Sequence, residues 1–179
     1  MNNPKLIEKL RVIPDFPKPG IQFQDITTLF NNVECLKIMR DETLDLYRNK
    51  GITKVVGLES RGFLLGPAVA LELGAGFVMA RKPNKLPGET VSEEYEKEYG
   101  KDKICMTSDA INENDIVLIH DDLLATGGTM RAVYNLVKKF NPKKIYINFI
   151  IELTIEGLHG RDVFKDCNVE ITNLMKIED

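Results

Sequence analysis

Residues 115–130 constrain the fold more than any other stretch, because a buried strand, a polar corner and a helix start follow one another without a break. Ile116, Val117, Leu118 and Ile119 form an apolar run too short for a helix and rich in β-branched side chains, as in a parallel strand covered on both faces. Met130, Val133, Tyr134 and Val137 then recur at i, i+3, i+4 and i+7, one face of a helix. Strand, short turn and helix predict an α/β fold, a mostly parallel twisted sheet with helices on both faces, and such sheets place ligands beyond the carboxyl ends of their strands. Here that end carries Asp121 and Asp122, then Ala125, Thr126, Gly127, Gly128 and Thr129. A turn of small residues opening a helix bares backbone N–H groups at the positive end of the helix dipole, a site for an anion, with phosphate the first candidate.

Two common phosphate motifs are excluded. Gly57 and Gly62 have the spacing of G-x-x-x-x-G-K, but Phe63 follows, and G-x-G-x-x-G does not occur. Carboxylates repel phosphate, so Asp121 and Asp122 should face hydroxyls or a phosphate-bound cation while the turn holds a monophosphate. A ribose 5-phosphate satisfies both halves. The same arrangement recurs upstream, where the buried strand 54–58 ends in Glu59, Ser60, Arg61 and Gly62 before a helix over 63–73. A strand over 76–80 then delivers Arg81 and Lys82, with Lys85 close behind. Fixed cations there suit a leaving group that gains charge as it departs.

The remaining chain reads as one domain over 1–179, large enough to bury about 70% of its unfolded surface without disulfides or a structural metal. With 24 Lys+Arg against 27 Asp+Glu and no basic stripe, nucleic acid is not the expected partner. The longest apolar runs fall far short of a bilayer span, no signal-peptide pattern opens the chain, and the three scattered cysteines read as reduced thiols, so a cytoplasmic location is expected. Residues 4–11 suggest a short helix, 13–20 an irregular loop with three prolines, 21–26 a strand and 33–49 an amphipathic helix closed by Gly51. Residues 83–103 are charged, bounded by Pro and Gly and without clear period, which predicts a loop acting as a lid, with Glu93, Glu94 and Glu96 solvated. Strands are expected over 104–107, 144–153 and 169–174, and a short helix over 156–165. His120 reads as a hydrogen-bonded structural residue, and it and His159 lack zinc-ligand spacing.

The acid pair followed by Leu-Leu-Ala-Thr-Gly-Gly-Thr resembles the signature of type I phosphoribosyltransferases. Further stretches resemble that family in order: Phe16–Gly20, Phe23–Ile26, Glu59–Phe63, Arg81–Lys82, Lys85–Gly88, Glu98–Lys101 and Glu152–Thr154. The resemblance, spanning roughly residues 12–160, implies transfer of 5-phosphoribose from 5-phosphoribosyl 1-pyrophosphate (PRPP) to a purine, adenine first, with hypoxanthine, guanine or xanthine as alternatives. A PRPP-binding regulator without catalysis is the rival of another class. On this reading 125–129 take the 5-phosphate, and Asp121 and Asp122 the ribose hydroxyls. Glu59, Ser60, Arg61, Arg81, Lys82, Lys85 and Tyr99 meet pyrophosphate, and the family often has a strained peptide between Glu59 and Ser60. Glu98 on the lid would manage a purine proton. A small hood over 12–30 would read the base through Gln22, Phe23 and Gln24, with Leu153 against the ring. Gln24 departs from the family, which has a basic residue there. Mg2+ would be held mainly through substrate oxygens, with Asp121 the candidate protein ligand, and the family is commonly a homodimer with a neighbour's residues near the pyrophosphate site.

Overall fold

The structure is a computed structural model describing residues 2–97, 100–155 and 157–178. Its centre is a five-stranded parallel sheet in the order β4-β3-β7-β8-β9, made of Lys54–Leu58 (β3), Gly76–Ala80 (β4), Ile116–Leu124 (β7), Lys144–Thr154 (β8) and Glu170–Glu178 (β9). Alternation along β7 feeds two cores. Val117 and Ile119 join a cluster with Met130, Val133 and Val137 of helix α5 (Gly128–Lys138), while Leu118 joins Met39 and Tyr47 of α3 (Val33–Tyr47) and Leu65 and Val69 of α4 (Gly62–Leu73). Buried on both faces, the central strands carry the continuous apolar runs that such a position demands.

Two helices have side-chain caps. Helix α1 (Pro4–Lys9) starts on Asn3, whose Oδ1 accepts from Lys5 N at 3.0 Å, and α3 starts on Asn32. Among the described residues, no helix is long and apolar enough to cross a membrane.

Several expectations need correction. The stretch expected as an irregular lid over 83–103 is largely an antiparallel hairpin, β5 (Thr90–Lys97) with β6 (Gly100–Thr107). Val91 and Tyr95 pack against the core, so a period of two was present beneath the charges. Lys103 and Glu94 are directly opposite and ion-paired at 3.2 Å, and Glu93 is not merely solvated but bound to Lys139, the residue after α5, at 2.7 Å. Part of the proline-rich loop is also regular: β1 (Arg11–Pro14) pairs antiparallel with β2 (Gln22–Asp25), because Pro14 at the strand end gives up no interior ladder bond. A short helix, α2 (Thr27–Phe30), follows. Helix α3 stops at Tyr47, before Gly51. The expected helix over 156–165 is a 3-10 turn at Gly160–Phe164, and β9 reaches Glu178.

Candidate active site

The crossovers β3-α4-β4 and β7-α5-β8 leave the centre of the sheet in opposite directions, so the ends of β3 and β7 form its topological switch point. Open α/β sheets hold ligands in that crevice. Gly57 pairs with His120, which sets the turn Glu59–Gly62 beside Asp121 and Asp122. The two units touch closely: a Cβ on Gly62 would lie 2.7 Å from the His120 carbonyl oxygen and 3.3 Å from Asp121 Oδ1. The Glu59–Ser60 peptide, where the resemblance implied strain, is cis.

Strand β7 continues past Ile119, carrying both aspartates within it. Arg61 Nε meets Asp122 Oδ2 at 3.0 Å, and Asp122 N donates to Asp121 Oδ1 at 3.0 Å. Burial raises the Asp121 pKa well above the ordinary carboxylate value, and the neighbouring Asp122 charge adds to it. Asp122 is also raised by burial, with the Arg61 cation opposing. An acid pair this costly to ionise marks a functional site, and a cation or sugar hydroxyls would relieve it.

On the β3 side the charges are already organised. Glu59 accepts from Arg81 Nε at 3.1 Å and Nη2 at 3.3 Å and from Lys82 N at 3.1 Å, and the Arg81 bond leads in holding the Glu59 carboxyl below its usual range. Arg81 Nη1 also donates to Lys85 O at 3.1 Å, and its backbone pairs with Cys105, tying the hairpin to the end of β4. The Lys82 and Lys85 side chains are exposed.

On the β7 side the backbone itself is on offer. Helix α5 begins at Gly127 with φ +81°, without a side-chain cap and without an acid in its first turn. Gly127 is a glycine for the fold's sake, since its Cβ would strike Gly160 O at 2.4 Å. Gly128 is not: a Cβ there would meet nothing within 4 Å. A small residue facing open space at a bare helix start suits close approach of an anion.

A family model for the phosphoribosyl transferase domain matches residues 25–175. The chain belongs to the phosphoribosyltransferase family. Adenine phosphoribosyltransferases of Bacteroides fragilis and Phocaeicola vulgatus are 57% and 61% identical to it, over 99% of both chains in the first case and over 93% of this chain and 94% of the relative in the second. The crystal structure of the APRTase from Giardia lamblia, complexed with 9-deazaadenine, superposes with a TM-score of 0.90 at 38% identity, covering 100% of this chain and 99% of that one. The parallel sheet flanked by helices is thus the phosphoribosyltransferase fold, as the sequence implied.

Other site residues expected of a phosphoribosyltransferase are distributed as follows. The hood sheet is fixed by Asp25, whose carboxylate accepts from Thr27 and from Arg11 Nε at 2.8 Å; the Thr27 and Arg11 bonds pull its pKa down to about 2. Gln22 is exposed and Phe23 half-buried, its ring edge-on to Phe16. Gln24 is buried; its Nε2 donates to Gln22 O at 3.2 Å and its Oε1 has no partner. Leu153 packs in the same cluster as Ile26 and Leu29, which joins the hood to the carboxyl end of β8. Glu98 and Tyr99 lie outside the described residues. His120 is the hydrogen-bonded structural residue expected, fully buried with Nδ1 2.9 Å from Asn148 Oδ1, and burial pushes its pKa down to about 4. Among the described residues no three His, Cys, Asp or Glu side chains are grouped to hold a metal.

Sequence reasoning missed the ion pair of Glu152 with Arg161, at 2.7 and 2.8 Å. A charged residue at the end of a strand otherwise apolar from Phe149 to Leu153 was its one visible sign.

Proposed function

We propose that the chain is a purine salvage enzyme that transfers 5-phosphoribose from PRPP to adenine, giving AMP and pyrophosphate. The observation that carries this reading is the uncapped start of α5 directly beyond an acid pair whose ionisation desolvation opposes. The amides of Ala125–Thr129 hold the 5-phosphate, and Asp121 and Asp122 receive the ribose 2- and 3-hydroxyls. The C1–oxygen bond of PRPP breaks as the C1–nitrogen bond to the purine forms, and the departing electron pair stays on pyrophosphate. Ser60, Arg61, Arg81, Lys82, Lys85 and Tyr99 receive it, with Glu59 holding Arg81 in place. Because Arg81 is held by Glu59 and Arg61 by Asp122, these two cations stabilise the departing charge with little reorganisation.

Magnesium fits this donor set: Asp121 would offer it a hard oxygen ligand beside Asp122, and the rest of its coordination would come from substrate oxygens and water. When bound it would offset charge on the pyrophosphate. Gln22 and Phe23 of the hood and Leu153 contact the base. Glu98 takes the purine proton. Single-turnover rates should fall by roughly 10^2 to 10^4 in Glu98→Gln; a loss of only a few-fold would remove Glu98 from the role. Pyrophosphate release should be fastest with adenine among adenine, hypoxanthine, guanine and xanthine. PRPP binding without turnover on any of them would make the chain a regulator instead.

We also propose a homodimer in the cytoplasm. Helix α4 leaves Leu64, Pro67, Ala68 and Leu71 exposed along one stripe, Leu71 at 80%, and Met79 on the edge strand β4 is 43% exposed. A helix apolar on every side is one that something covers. Its start is the pyrophosphate turn, so a second copy would also bring residues close to that turn. The three free cysteines suit a reducing compartment.

A further inference from the structure

Behind the turn Ala125–Thr129 lies a second layer that the reaction as described does not use. The chain after β8 returns to press Gly160 against it. A Cβ on Gly160 would lie 2.4 Å from the Ala125 carbonyl oxygen and 2.8 Å from Leu124 Cδ1, and the Gly160 carbonyl oxygen in turn fills the space beside Gly127. The two backbones are in contact at both ends of the turn's first half, so moving one moves the other.

Gly160 is itself held from three sides. Arg161, the next residue, donates from Nε and Nη2 to the two oxygens of Glu152 at 2.7 and 2.8 Å, and from Nη1 to Ile171 O on β9 at 3.0 Å. Asn173 Nδ2 also donates to Glu152, whose side chain is only 5% exposed. At the far end of the 3-10 turn, Arg131 of α5 holds Asp166 with both terminal nitrogens and also reaches Val163 O. A two-pronged arginine–carboxylate contact fixes angle as well as distance, which a single contact cannot do.

We propose that Gly160, anchored by the Glu152–Arg161 ion pair, is a positioning element that sets the spacing of the amides in the phosphate cradle. This rests on the reading of Ala125–Thr129 as that cradle. None of these three residues needs to touch substrate; their effect is confined to the group that the cradle holds. Misplacement of a binding group by about 1 Å is enough to lose one to two orders of magnitude.

The test compares Gly160→Ala and Arg161→Lys with the parent, using ribose 5-phosphate as probe in titration calorimetry, steady-state kinetics and thermal melting. Arg161→Lys keeps the charge and loses the fork, so it decides the matter if Gly160→Ala does not fold. Ribose 5-phosphate affinity should fall about tenfold and the KM for PRPP rise in step, while the KM for the base stays within about twofold. Unchanged ribose 5-phosphate affinity, or a base KM that rises as much as the PRPP KM, overturns the proposal. Gly128→Val separates the premises. If it retains ribose 5-phosphate binding, the cradle reading has failed; if it loses binding while the other two variants keep it, only the positioning role has.

Discussion

At the start of α3, Asn32 turns its side chain back so that Oδ1 accepts from Glu34 N at 3.0 Å and Cys35 N at 3.1 Å, and Glu34 faces the positive end of the dipole. At the start of α5 neither device exists: Gly127 has no side chain to offer and the first turn carries no acid. Helix α4 is likewise without a side-chain cap, and it too begins at the switch point. A missing cap costs about 1 kcal/mol. Among the helices of six residues or more, the chain bears that cost at the two whose starts converge on the crevice and avoids it at α1 and α3, which do not follow β3 or β7. The difference teaches that the bare amides are positions kept open for an anion that the chain does not supply.

The comparison breaks most visibly at Gly128. A Cβ there meets nothing in the protein, so Gly128→Val should leave the melting temperature within a few degrees of the parent. Its branched side chain would stand where the phosphate approaches. Calorimetry with AMP should show affinity lower by at least about 10^2-fold. Unaltered AMP affinity would mean that the open space in front of α5 is not the site.

Asp121→Asn sharpens the same contrast from the side of charge. Burial, and after it the Asp122 charge, raise the Asp121 pKa well above the ordinary carboxylate value of 3.8, so the folded state disfavours the ionised form. The unfolded chain ionises freely. The penalty is therefore absent below pH 3.8 and grows as pH rises from there toward the folded-state value. Asn removes it, so the variant should be more stable than the parent at pH 7.5, with no gain left near pH 3.5. Turnover should fall by about 10^2-fold, since an amide cannot accept from the ribose hydroxyls as a carboxylate does. A variant less stable than the parent at pH 7.5 would show that the acid pair is not held against its preference.

The capped and uncapped regions also differ in how legible they were. The β7–α5 unit could be read because each part has its own signal: an apolar run, a period of 3.6, and small residues between them. The full length of β7 could not, since Asp121 and Asp122 interrupt the apolar run, yet Asp121, Leu123 and Leu124 still pair with β8. Charge also hid the hairpin, where Glu94 and Lys103 answer each other across strands and Glu93 is bound to Lys139, at the end of a helix distant in sequence. Such pairs exist only once the chain has folded. Glu152 and Arg161 are of the same kind, as is the contact of Gly160 with Ala125, which no local pattern records.

The smallest effect tests the other half of the comparison. Asn32→Ala removes the acceptor from two amides of α3, and the melting curve should report a loss of about 1 kcal/mol. Asn32 lies on a helix that does not open at the crevice, so AMP affinity should not change. Ligand linkage then gives a stricter reading. At AMP concentrations of about 100 Kd, bound ligand should stabilise the parent and Asn32→Ala alike, by roughly 2.7 kcal/mol, because distant sites add. Gly128→Val at the same AMP concentration should gain almost nothing. If AMP instead recovered most of the stability lost in Asn32→Ala, the ends of α3 and α5 would be coupled, and an anion at one helix could not be treated as the counterpart of a side chain at the other.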